Sequence, residues 1–192
     1  MRTTILTSLR TSLVLMLICG LLYHLALTGA AQALMPKRAD GSLIYNGHGE
    51  VIGSELIGQS FTDPGLFHGR VSSIGYSADG SGTPNYAPSN PDLIARVRQS
   101  ALDWRTNNPD VPIGDVPLDL LTNSGSGLDP HISPKAAEAQ IPRIAGVTGL
   151  SPERLQALVD EHTAPRPLGI FGERTVNVLK LNLALRQLTA SQ

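Results

Sequence analysis

The run "TSLVLMLICGLLYHLALTGAAQALMP" extends from Thr11 to Pro36 without one formally charged residue. No other feature restricts the chain as strongly, because so long an apolar stretch must leave water. Thr11 to Leu34 is 24 residues, and a helix rising about 1.5 Å per residue would then span roughly 36 Å, enough for a hydrocarbon core of about 30 Å with some tilt. The run predicts a transmembrane helix over 11–34, a short cytoplasmic stub over 1–10, and one extracytoplasmic domain over 35–192. Arg2 and Arg10 lie on the short N-terminal side and set this orientation, nearly balanced by Lys37 and Arg38. A secretory signal is the competing reading, with Arg2 and Arg10 as the basic start, Leu13 to Leu27 as the apolar stretch and Ala31-Gln32-Ala33 as a cleavage site. The apolar stretch outlasts the usual h-region of about 7 to 15 residues and resumes at Ala33, Leu34 and Met35, which favours a retained anchor. A lipoprotein site at Cys19 is disfavoured by bulky Ile18 before it.

Tyr23 and His24 bring the notable polar atoms into mid-span, where a polar side chain is expected to face a partner helix. Charged residues make up 16% of the chain and the net charge is -1. Phosphate neutralisation therefore has nothing to act through, and nucleic-acid partners are excluded. Residues 35–192 hold 13 basic and 16 acidic side chains, 13 - 16 = -3, so this part has no attraction for anionic headgroups. Membrane lipid is a partner through the span alone. The single cysteine, Cys19, leaves 35–192 without an internal disulfide.

Beyond the span the pattern is α+β. Leu43 to Tyr45 and Val51-Ile52 flank Asn46-Gly47-His48-Gly49, a hairpin signal. Asp63 to Pro91 is rich in Gly, Pro, Ser and Asn and reads as a long excursion. Asn90-Pro91 starts a helix with Leu93, Val97, Ala101 and Trp104 on one face. Ser133-Pro134 starts another through Ala137, Ile141 and Ile144, with Pro142 expected to kink or split it. Ser151-Pro152 starts a third, whose inner face runs through Leu158, Val159 and His162 to a stop at Ala164-Pro165. "VNVLKLNLALRQL" alternates like a strand, but Val178, Leu181, Leu185 and Leu188 suit a helix, and its length favours helix.

The stretch "LTNSGSGLDPHISPKAAEAQ" concentrates the residues with chemical potential: Ser124, Ser126, Asp129 and His131. Ser126, Asp129 and His131 are the types of a nucleophile, orienter and base, yet all lie within six residues, and "NSGSG" does not match the G-x-S-x-G elbow. A Walker-type phosphate loop needs lysine and a hydroxyl after its last glycine, whereas Leu128-Asp129 follows Gly127. His48, His68, His131 and His162 are scattered without paired spacing, so no metal site is expected. Structure accounts for most of the stretch: Asp129-Pro130 makes a turn and Ser133 caps a helix. The same loop is a candidate for docking a partner. No catalytic residue is assigned, and Tyr23, His24, Ser124, Ser126, Asp129 and His131 stand as candidate partner contacts.

Five ordered blocks, "GSELIGQSF" (53–61), "SNPDLI" (89–94), "SGSGLDPHISPKAA" (124–137), "LVDEHT" (158–163) and "VNVLKLNLAL" (176–185), resemble the C subunit of the bacterial Kdp potassium-transporting ATPase. The likeness covers nearly the whole chain. Val71 and Thr83-Pro84 depart from the family's pattern. The resemblance implies a non-catalytic accessory subunit of the inner (cell) membrane, working beside a channel-like potassium-translocating subunit and a P-type ATPase subunit. It also implies a catalytic chaperone that raises the ATP affinity of the ATPase subunit, with ATP reached through the complex and no cofactor bound directly. Two other classes stay open: a secreted or membrane-anchored binding module, and a hydrolase using Ser126 and His131.

Overall fold

The computed structural model describes residues Arg2–Ser191. The chain divides into two compact units, 1–52 and 53–192. In the first, α1 (Arg2–Leu15), a π-helical segment (Met16–Leu22) and α2 (Tyr23–Leu34) run on as one helix of 33 residues. It has no buried residue and is long and apolar enough to cross a membrane. The helix starts at Arg2, ahead of Thr11, and includes Ile5, Leu6 and Leu9. A single turn, α3 (Pro36–Ala39), follows.

The expected hairpin forms between β1 (Leu43–Tyr45) and β2 (Val51–Ser54). Asn46 organises its turn: the Asn46 Oδ1 accepts the N–H groups of His48 and Glu50, both at 2.9 Å, and Gly49 takes the positive φ of +80°.

The second unit is built on four helices of useful length. Asn90 caps α4 (Pro91–Asn107) by accepting the Asp92 N–H, with Pro91 at the first position where no N–H is needed. Trp104 is buried on the expected face, while Leu93, Val97 and Ala101 are half-buried. One turn, α5 (Leu118–Leu121), leads into the serine-rich loop. The helix begun by Ser133 splits as Pro142 demands, into α6 (Pro134–Glu138) and α7 (Ile141–Thr148). Ser151 caps α8 (Pro152–Glu161), which stops three residues before the expected Ala164-Pro165. The reason is tertiary: Thr163–Ala164 becomes strand β4 and leaves the helix to pair in a sheet.

That sheet has three strands in the order β3 (His131–Ile132), β5 (Thr175–Asn177), β4. Both pairings are antiparallel, with Val176 at the centre opposite Ile132 and Thr163. The ambiguous C-terminal segment is therefore both things in turn, three residues of strand and then α9 (Val178–Ala190). Asn177 makes the switch by accepting the Lys180 N–H as N-cap. Ile132, Ile144, Leu155, Val159, Val176, Leu181 and Leu185 form the core with Phe67. Phe67 is wholly buried although it lies in the long excursion.

Candidate functional site

The structure brings Ser124, Ser126, Asp129 and His131 into one loop between α5 and β3, and their polar atoms serve one another. Ser124 is buried, and its Oγ accepts the N–H of Gly127 (3.1 Å) and of Asp129 (3.3 Å). Ser126 Oγ accepts the Leu128 N–H at 3.1 Å and lies 3.3 Å from Ser124 Oγ. Among the described residues no hydrogen bond joins Ser126 to His131. Ser126 Oγ is thus engaged within its own loop.

Asp129 is the hinge of the loop. Its Oδ1 accepts the His131 N–H at 3.0 Å, with His131 Nδ1 at 3.6 Å, and its Oδ2 pairs with Arg70 Nη1 at 3.0 Å. Burial by itself would raise the carboxyl, but the nearby His131 ring, the hydrogen bond from the His131 backbone and the Arg70 guanidinium outweigh it and hold Asp129 at about 2. Asp129 is thus a carboxylate at any physiological pH.

The excursion Asp63 to Pro91, with Gly58 ahead of it, closes around this loop. Ser124 donates its N–H to Val71 O at 2.9 Å, Gly82 N–H donates to Ser126 O at 2.8 Å, and Gly58 N–H donates to Leu128 O at 2.7 Å. Ser72 Oγ donates to Gly127 O at 2.7 Å and accepts the Tyr76 N–H, while the Tyr76 hydroxyl donates to Arg70 O. Two glycines are required by closeness. Gly127 has φ +74° and a Cβ there would stand 2.6 Å from Ile74 Cγ1; a Cβ on Gly58 would stand 2.7 Å from Asp129 O. Val71 and Thr83 meet at one residue: Val71 bridges Asn123, and Asn123 Nδ2 donates to Thr83 Oγ1 at 2.6 Å.

A second set of contacts, absent from the sequence reading, fixes the start of the excursion. Asn182 donates to Phe67 O and accepts its N–H, at 2.9 and 2.8 Å. Gln140 does the same for His68, at 3.0 and 2.8 Å. Two buried side-chain amides therefore act as a strand would, satisfying successive backbone groups of a segment that has no ladder. Arg143 lies behind them, donating to Pro64 O, to Leu66 O (3.0 Å), to Asn108 Oδ1 (2.9 Å) and to Gln140 Oε1 (2.8 Å). It has no ion pair among the described residues, and burial pulls it down to about 10. Burial, aided by the Arg143 charge, also lowers His68, against the opposing contact of its Nε2 with Asp63 O at 3.0 Å.

The remaining candidates lie apart. Tyr23 and His24 sit on α2, ring centroids 5.7 Å apart at 90°, and His24 Nδ1 reaches Cys19 O at 2.8 Å inside the π-helical segment. Among the described residues no three of His, Cys, Asp and Glu stand close enough to hold a metal ion.

The family model described as "KdpC: K+-transporting ATPase, c chain" matches residues 5–187. This chain belongs to the KdpC family. Relatives named potassium-transporting ATPase KdpC subunit, from Bacillus cereus strains Q1 and B4264, are 58% identical over 180 residues, covering 94% of this chain and 93% of each relative. That of Bacillus anthracis strain A0248 is 57% identical over the same length. The match spans both compact units, so family membership covers the long helix as well as the serine-rich loop.

Proposed function

We propose that this chain is the accessory subunit of an ATP-driven potassium import complex, anchored once in the cell membrane through residues 11–34 with residues 35–192 on the extracytoplasmic side. Its partners are the channel-like potassium-translocating subunit and the P-type ATPase subunit, which does the chemistry. The family match over 5–187 carries the reading. The internal bonding of Ser124 to His131 supports a role in building a rigid surface rather than in hydrolysis.

The chaperone effect on ATP affinity is best read as indirect. No loop of the chain has the glycine-lysine-hydroxyl arrangement that cradles phosphates. A coupling free energy of about 1 to 3 kcal/mol between subunits is enough to change affinity roughly 5- to 150-fold. Tyr23 and His24 in the span, and the outer surface, are the routes for such coupling.

The test is purification of the tagged chain from membranes in mild detergent, with identification of every co-purifying chain and ATP titration of the complex with and without it. A wild-type chain that brings down no ATPase subunit sinks the proposal. Saturable ATP binding by the free subunit, competed by unlabelled nucleotide, sinks the indirect reading.

A further inference from the structure

A cavity of about 160 Å³ opens between α4 and the start of the excursion, and its inner end and its mouth differ in kind. Trp104 and Leu120 are buried in its wall, with half-buried Val71 beside them. The polar groups of the inner end are already spent. Gln140 Oε1 accepts the His68 N–H and Arg143 Nη2, while its Nε2 donates to His68 O and Ala136 O. Asn108 Oδ1 accepts from Arg143 Nε, and Trp104 Nε1 donates to Val111 O at 3.3 Å. What this end offers a ligand is apolar contact, with the Arg143 guanidinium behind it.

The mouth is different. Ser100, Asp103 and Asn107 line the cavity with Trp104 from one face of α4, three and four residues apart. Ser100 is half-buried, and Asp103 and Asn107 are exposed. Asp103 Oδ1 accepts Gln99 Nε2 at 2.8 Å. Among the described residues nothing bonds to Asp103 Oδ2, to Ser100 Oγ or to the Asn107 amide. Open polar groups on a helix surface usually meet only water. Here they converge on the rim of an apolar cavity, the arrangement by which small-molecule sites fix a ligand's orientation.

We propose that this cavity binds a small primary alkylammonium ion, with its charged head at Asp103, Ser100 and Asn107 and its alkyl tail directed inward against Trp104, Leu120 and Val71. The head has three N–H donors and no acceptor, and the mouth supplies a carboxylate, a hydroxyl and an amide oxygen to receive them. Asp103 is the one carboxylate of the lining and repels a carboxylate or phosphate ligand. The orientation follows from Arg143, since a head placed at the inner end would face an unpaired guanidinium. A bare alkali ion would leave the apolar end unused. Size sets the limit on the tail: a cavity of about 150 Å³ holds benzene, so the ligand has about five to seven non-hydrogen atoms. The site does not depend on which chains the subunit meets.

Trp104 is the chain's only tryptophan and so reports on its own cavity. The experiment titrates the full chain, in a non-ionic detergent, with n-butylammonium chloride over the millimolar range at constant ionic strength. Binding is read by Trp104 fluorescence and by saturation-transfer NMR of the probe's methyl protons. A saturable response in both is expected, with n-butanol at least tenfold weaker and no saturable response to potassium chloride or ammonium chloride. Asp103→Asn keeps the acceptor for Gln99 and removes only the charge. It is expected to weaken n-butylammonium at least tenfold, to leave n-butanol as in wild type and to leave the melting temperature unchanged. No saturable response to n-butylammonium in either measurement overturns the proposal. So does n-butanol binding as tightly, potassium chloride saturating the same response, or a folded Asp103→Asn chain that binds n-butylammonium as wild type does.

Discussion

Two loops of this chain lie beside the same small sheet and use their residues in opposite ways. Ser124–His131, before β3, holds the residue types of a catalytic site, and its hydroxyls, carboxylate and backbone groups bond within the second unit. The 165–174 loop, between β4 and β5, holds no nucleophile and no histidine, yet it leaves Leu168, Ile170 and Phe171 in water. Residue chemistry alone singles out only the first loop. What separates them is how completely each loop's contacts are used inside the fold, and each prediction below bears on that difference.

The largest effect is expected where the excursion is anchored. Arg143→Met leaves the carbonyls of Pro64 and Leu66 and the amide oxygen of Asn108 without a donor, and each buried orphan costs about 1–3 kcal/mol. Urea titration should show a loss of about 3 kcal/mol or more; a loss under about 1 kcal/mol would mean that water replaces the guanidinium and that the anchor is not specific. Asn182→Leu comes next, orphaning both backbone groups of Phe67, with an expected loss of about 2–4 kcal/mol.

Within the serine-rich loop, Ser124→Ala removes the acceptor of two N–H groups and should cost about 1–3 kcal/mol, while exposed Ser126→Ala should cost under about 1 kcal/mol. Equal costs for the two serines would break the distinction between a buried bracket and a surface hydroxyl. Neither change is expected to remove an esterase or peptidase activity.

Asp129 gives the pH signature of the same loop. Its folded pKa, about 2, lies below the ordinary 3.8, so the carboxylate stabilises the fold above about pH 4 and that contribution disappears as pH falls through about 2. The stability difference between wild type and Asp129→Asn should be constant from pH 7 down to about 5 and shrink between about 4 and 2. A difference that persists at pH 2 would locate the effect in packing rather than in charge. The smallest effect belongs to the other loop: Leu168→Ser/Ile170→Ser should change stability by no more than about 0.5 kcal/mol, as surface substitutions do. A larger loss would show that the tip packs within the fold and would remove the contrast between the two loops.

Much of this was open to reading in the sequence because its causes are local. The apolar run forms a helix on hydropathy and length alone, Asn90, Ser133 and Ser151 cap with a proline behind them, Pro142 splits a helix, and Asn46 makes a hairpin turn. Each of these is decided within a few residues, so spacing suffices. The clustering of Ser124, Ser126, Asp129 and His131 was legible for the same reason, since eight residues of chain keep them together whatever the fold.

Only the tertiary structure decided the rest. Strands of two or three residues carry no usable alternation, so Thr163–Ala164 and Thr175–Asn177 became strands because each found a partner across the sheet, and α8 ended early as a result. Gln140 and Asn182 look like ordinary polar positions on helices until His68 and Phe67, 72 and 115 residues away in sequence, bring backbone groups to their amides. Arg70 gave no sign of being the counter-ion of Asp129, 59 residues on. Leucine, isoleucine and phenylalanine in a short loop read equally well as core or as surface, and only the fold leaves Leu168, Ile170 and Phe171 exposed. Hydrogen bonds and burial between distant segments depend on chain closure, and closure is a property of the whole fold that no local window contains.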